Sequence, residues 1–211
     1  MTDVHPEGGF STARVETLGD GIFAIVMTLL VLQLRIPAGT LARDFPHELR
    51  QLWPQLGAYV VSFVVLGIYW VAHHNQFAFI KAVDRVLLWI NILFYLVVAL
   101  VPFSASVAGG YHEQPLASAV YGGNLIAVGL VLLLHWRYAT SKPALSEPVD
   151  PRLRREIDRH ILMAPALYVA AIALGFVSTW ISLAIYAFVP VLYIVPNRVD
   201  RTLDEMKAGL R

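Results

Sequence analysis

The stretch Arg14-Val-Glu-Thr-Leu18-Gly19-Asp20-Gly-Ile-Phe-Ala-Ile25-Val-Met-Thr28-Leu29-Leu-Val-Leu32-Gln-Leu-Arg35 decides how the rest of the chain is read. Between Asp20 and Arg35 lie 14 residues without Asp, Glu, Lys or Arg. A helix over them rises about 21 Å at about 1.5 Å per residue, short of the roughly 30 Å of hydrocarbon in a bilayer. A span built here must therefore carry a charged residue within the apolar slab or at its edge. Arg35 can snorkel outward on its long stem, whereas Asp20 cannot. An intramembrane carboxylate is costly and normally faces a partner or water. The alternative sets Asp20 at headgroup level, where it complements the helix N-terminus.

The rest of the chain shows that a membrane is the right setting. Of 211 residues, 57% are apolar and mean hydropathy is +0.62. Charged residues make up 15%, against about 25% in soluble domains. A soluble enzyme domain, a disordered chain and a disulfide scaffold (the sequence has no Cys) are excluded on these grounds. A net charge of +1 provides no electrostatic footprint for nucleic acid. Further charge-free runs cover 51–80, 86–112, 114–136 and 160–197. The last is long enough for two spans joined by a tight hairpin near Gly175–Thr179. The expected architecture is an all-α integral membrane protein, one unit over 1–211, with six helices at about 17–36, 54–80, 86–109, 116–138, 160–176 and 179–196. Pro102, Pro165 and Pro190 fall inside these spans, which neighbouring helices in a bundle tolerate. Asp150-Pro151 reads as an N-cap and first helical residue leading into the fifth span.

Lys and Arg positions set the orientation. Six spans place 13 of them on one side and Arg35, Arg43 and Arg50 on the other; five spans would split them nearly evenly. The positive-inside rule favours the uneven split, with both termini cytoplasmic. No cleavable signal peptide is expected, since a polar-rich segment precedes the first span and no small-residue cleavage site follows it.

On this topology Asp20, His73, His74 and Asn91 share the cytoplasmic third of the bundle, on three different helices. Their matching depth suits a mutual hydrogen-bond network. A proton relay through the same groups is the competing reading. A metal site fits less well, because adjacent histidines on a helix point about 100° apart and no Cys or second carboxylate assists. On the first helix, Leu18, Ile25, Thr28, Leu29 and Leu32 form one face, roughly 130° from Asp20 at about 100° per residue. Such a face meets lipid, packs against neighbouring helices, or lines a symmetry axis.

The run from Arg14 through Leu18-Gly19-Asp20 to Leu32 resembles the first helix of the transmembrane protein 175 family, the endolysosomal-type potassium channels. Trp70-Val-Ala-His73-His74-Asn-Gln-Phe77, then Asp84-Arg85, Asn91 and Leu100-Val-Pro102-Phe103, continue the likeness over about residues 14–109. The family pattern has Phe-Ser-Asp where this chain has Leu18-Gly19-Asp20, so one hydroxyl is missing. The resemblance implies a homotetramer of six-helix chains in a bacterial plasma membrane, conducting potassium ions through a pore lined by four first helices. It implies an apolar constriction at Ile25, Leu29 and Leu32, with a selectivity-aiding hydroxyl layer at Thr28. It also implies an interhelical network of Asp20, Trp70, His73 and Asn91. No enzymatic activity and no cofactor are expected. An apolar constriction gates by dewetting, and the sequence lacks the repeated Gly/Pro-broken helices with midplane charge of many transporters. A proton-coupled or proton-conducting transporter using Asp20 and His73 is the alternative.

Overall fold

The structure is a computed structural model that describes residues 11–195. Helix α1 (Thr12–Leu29) tightens into a 3-10 turn at Leu30–Gln33, and a short helix α2 (Phe45–Gln51) follows. Then come α3 (Trp53–Phe77), α4 (Arg85–Ala99), α5 (Val101–Gly110), α6 (Pro115–Ser141), α7 (Pro151–Gly175) and α8 (Thr179–Ile194). An isolated antiparallel bridge joins Ile80 and Ser146. Five segments are long and apolar enough to cross a bilayer: Thr12–Gln33, Trp53–Phe77, Arg85–Gly110, Pro115–Ser141 and Pro151–Gly175. Helix α8 is apolar but has 16 residues. The chain is an all-helical membrane protein. Residue 196, where the sequence ends its sixth span, lies outside the described residues. So do Arg198, Arg201, Lys207 and Arg211, which the orientation argument uses.

Local chemistry sets the helix starts. Proline stands in the first turn of α2, α3, α5, α6 and α7, where its missing N–H has no helical partner to lose. Asp84 caps α4 by accepting from Leu87 N at 2.7 Å, and Asp150 caps α7 by accepting from Arg152 N at 2.7 Å. With that cap, α7 runs unbroken from Pro151 through the basic segment into its apolar half.

Inside the bilayer every broken backbone bond needs a substitute partner. The segment Arg85–Gly110 breaks at Leu100, next to Pro102. There Asn124 Nδ2 donates to Val97 O at 2.9 Å, Ser104 Oγ donates to Asn124 Oδ1 at 2.8 Å, and the Gln33 amide donates to Pro102 O. Within α7, Pro165 has no N–H to donate to Ile161 O. In the adjoining turn Tyr193 Oη accepts from Ala164 N at 3.1 Å and donates to His160 O at 2.8 Å. Opposite the kink, Gly129 of α6 lets the backbones approach, since a Cβ there would stand 2.7 Å from Pro165 Cγ.

Helix α6 is the hub, packed against α4, α5 and α7, while α3 lies on α5 and α8. Helix α1 leans on α3 and α4 through Val15, Gly19, Phe23 and Val26, all buried, with Leu30 continuing the seam in the 3-10 turn. Its other side is left uncovered by the chain. Leu18, Ile25, Leu29 and Leu32 are 44–60% exposed.

Candidate functional site

Two features of α1 converge on a site: the uncovered apolar face and the polar cluster near its start. On the face, Ile25 is 60% exposed and Leu32 54% exposed, while Val15, Gly19, Phe23 and Val26 on the opposite seam are buried. Thr28 is exposed on the same side, and its hydroxyl donates back to its own helix, 2.8 Å from Ile25 O and 3.0 Å from Ala24 O. The hydrogen is thus committed inward, while oxygen lone pairs stay available outward. Leu32 falls in the 3-10 segment, beyond the end of the α-helical turns. A 3-10 turn eclipses residues three apart, so the tightening brings Leu32 over Leu29 instead of letting it drift around the wheel.

The polar cluster is assembled from α1, α3 and α4. Asp20 Oδ1 accepts from Trp70 Nε1 at 2.8 Å, and both residues are exposed in the single chain. Trp70 stacks on His74, with centroids 6.1 Å apart, and His74 Nδ1 lies 3.8 Å from Glu16 Oε1. Deeper in the bundle, buried His73 meets Asn91, Nε2 to Oδ1 at 3.0 Å. Asn91 Nδ2 donates to Leu87 O at 2.9 Å, so its Oδ1 is the acceptor and His73 carries hydrogen on Nε2. The four residues that the resemblance joins in one network therefore form two pairs, Asp20 with Trp70 and His73 with Asn91. Among the described residues no hydrogen bond joins one pair to the other. Asp20 lies at the α1–α3 edge, on the chain's surface. Arg14 and Leu18 are exposed, and Gly19 is buried.

Three contributors are absent from the sequence reading. Tyr95 Oη donates to Val15 O at 3.0 Å, and its ring stands edge-on to His73 at 5.6 Å. His135, fully buried on α6, lies 5.4 Å from the His73 ring and bonds Gln76 Oε1 through Nδ1 at 2.6 Å. Gln76 Nε2 donates to Leu132 O, which makes Oε1 the acceptor and places the His135 hydrogen on Nδ1. The available signal was the presence of polar residues inside charge-free runs, where each must find a partner. Chemically, the cluster holds a helix in place, and two imidazoles lie side by side within it. Among the described residues no group of three or more His, Cys, Asp or Glu is arranged to hold a metal.

Comparison with known proteins places these features in context. Residues 14–102 match the family model described as endosomal/lysosomal potassium channel TMEM175. A potassium channel of Streptomyces collinus is 35% identical over 187 residues, covering 86% of this chain and 91% of that protein. The crystal structure of a lysosomal potassium-selective channel TMEM175 homolog from Chamaesiphon minutus superposes with a TM-score of 0.78 at 28% identity. It covers 87% of this chain and 96% of its own. The mouse endosomal/lysosomal proton channel TMEM175 is 25% identical over 176 residues, covering 80% of this chain and 35% of the mouse protein.

Proposed function

The chain belongs to the TMEM175 family of ion channels, and from that premise we propose that it is a potassium-permeable channel of a bacterial plasma membrane. Four copies assemble with their first helices around a common axis, six spans per chain and both termini cytoplasmic. The observation that carries this reading is the face of α1. A helix whose opposite side is tied into the bundle leaves Ile25, Leu29 and Leu32 uncovered, with Thr28 among them. A fourfold axis gives that face something to meet.

In this arrangement Ile25 forms the narrowest apolar ring, and Leu29 and Leu32 extend it. A ring of large aliphatic side chains sheds water when narrow, so conduction requires α1 to rotate or move outward. Thr28 supplies four hydroxyl oxygens one layer from the ring, each able to replace part of an ion's hydration shell. Asp20–Trp70 ties α1 to α3 and His73–Asn91 ties α3 to α4, and both pairs are architectural. The purified chain reconstituted in liposomes should pass potassium under an imposed gradient, with sodium flux lower. A tetrameric preparation that passes neither ion would refute the reading.

A second reading has its own support. The vertebrate relatives are named proton channels, and His73 and His135 lie 5.4 Å apart in the buried part of the bundle. Proton passage involving Asp20 and His73 predicts acidification of liposomes in potassium-free buffer, lost in His73→Gln. The potassium reading predicts no such loss.

A further inference from the structure

Gly19 is buried on α1, and a Cβ built there would stand 2.8 Å from Tyr95 Oη and 3.3 Å from two atoms of its ring. The hydroxyl that occupies this space donates to Val15 O at 3.0 Å, the carbonyl that α-helical geometry pairs with the Gly19 N–H. Tyr95 of α4 thus touches the α1 backbone at a turn where only glycine leaves room. Its ring is fixed in turn, edge-on to His73 at 5.6 Å and tilted against Phe94 at 5.9 Å. On the neighbouring residue of α1, Asp20 is held by Trp70 of α3. One turn of α1 is therefore held from two helices at once, six residues before Ile25.

We propose that Gly19 and Tyr95 form a latch that fixes the depth and rotation of α1, and through it the alignment of the Ile25 ring. This inference rests on the channel reading above. The Ile25 face is uncovered within the chain, so contacts on the opposite face set its position. The latch is short and directional: sliding or turning α1 breaks the bond to Val15 O. It lies about 9 Å along the axis from Ile25 at about 1.5 Å per residue, so a rigid rotation there carries through to the ring. Where the family motif carries a serine hydroxyl on α1 itself, this chain receives a hydroxyl from α4. Tyr95 is a positioning residue, acting on the pore only through α1. Under the channel reading α1 must move for ions to pass, so removing the hydroxyl favours the conducting arrangement.

The test is a cycle of full-length variants in liposomes. Tyr95→Phe should raise basal potassium flux by about threefold or more while leaving the potassium-to-sodium ratio and the tetramer unchanged. Gly19→Ala pushes a methyl against Tyr95 Oη, and should raise flux similarly while lowering the melting temperature. Combined with Tyr95→Phe, Gly19→Ala should add little to either readout, because the oxygen it strikes is gone. Tyr95→Phe with wild-type flux, or effects that simply add in the double variant, would overturn the latch. A wild-type tetramer without flux refutes the channel reading instead, and the melting cycle then decides the pairing. Equal losses from Gly19→Ala in both backgrounds refute it, and a loss much reduced in the Tyr95→Phe background supports it.

Discussion

Thr28 shows how a single side chain can be polar and still belong in an apolar span. Its hydrogen is committed to the carbonyls of its own preceding turn, so the exposed part of the hydroxyl acts as an acceptor, the property a cation needs. Thr28→Val keeps the shape and removes the oxygen. It should lower the potassium-to-sodium flux ratio in liposomes without changing the melting temperature. Asp84 works at the opposite extreme, outside the spans, as the cap of α4. Burial pushes its carboxyl up, but the Leu87 N–H, the Tyr138 hydroxyl and the Lys142 ammonium outweigh that and hold it below the usual carboxylate range. A carboxyl held low stabilises the fold at and above its unfolded pKa, about 3.9, and loses that contribution as pH falls through the folded value. Asp84→Ala should therefore cost about 1 kcal/mol at neutral pH. The difference in melting temperature from wild type should shrink as the pH is taken below about 4.

At the scale of elements, two helices carry the arguments about function and folding. In α1 the packed seam and the uncovered face lie on different sides of one helix, so a change on the face should alter transport and spare the fold. Ile25→Asn would hydrate the proposed constriction, raising basal flux and weakening the preference for potassium over sodium. Flux unchanged in both this variant and Thr28→Val, beside a conducting wild type, would remove α1 from the pore. In α7 the burden is structural. Tyr193 Oη bonds both Ala164 N and His160 O, in the turn that leads into Pro165. Tyr193→Phe removes both of these cross-helix hydrogen bonds, at a cost of about 1–3 kcal/mol. Thermal unfolding in detergent measures it, and potassium selectivity in liposomes should not change.

For the whole molecule, two of the connections are tied to each other. Lys81, after α3, pairs with Glu147, before α7, at 2.9 Å, and Ile80 bridges Ser146. These two connections therefore share a side, while the connection containing Arg43 lies across the length of α3. Because the sequence has no cysteine, Arg43→Cys and Ser146→Cys can be labelled singly in an unaltered background. An impermeant reagent should reach them from opposite sides of the membrane, and labelling from one side would break the six-span topology. Assembly has a separate test. Mass measurement of the purified protein in detergent should give four chains, and Asp20→Ala, which unties α1 from Trp70, should reduce that fraction before it changes ion preference.

Composition and run length were enough to identify a helical membrane protein, because burying a charge in hydrocarbon costs too much for long apolar runs to mean anything else. The same physics marked Asp20, His73 and Asn91, since a polar residue inside such a run needs a partner. Asp150-Pro151 located the start of α7, because that signal acts within one turn. The choice of partner was not legible. The family likeness joined Asp20, Trp70, His73 and Asn91 in one network, but the residues did not say that Asp20 would pair with Trp70 while His73 paired with Asn91. Nor did they say that Gly19 would sit beneath Tyr95, 76 positions later. Gln76, His135, Asn124 and Tyr193 found their roles in the same way, through close approaches across helices. Those contacts exist only once the helices have packed, because backbone breaks at proline and buried amides are satisfied by whichever neighbour packing brings within hydrogen-bond reach.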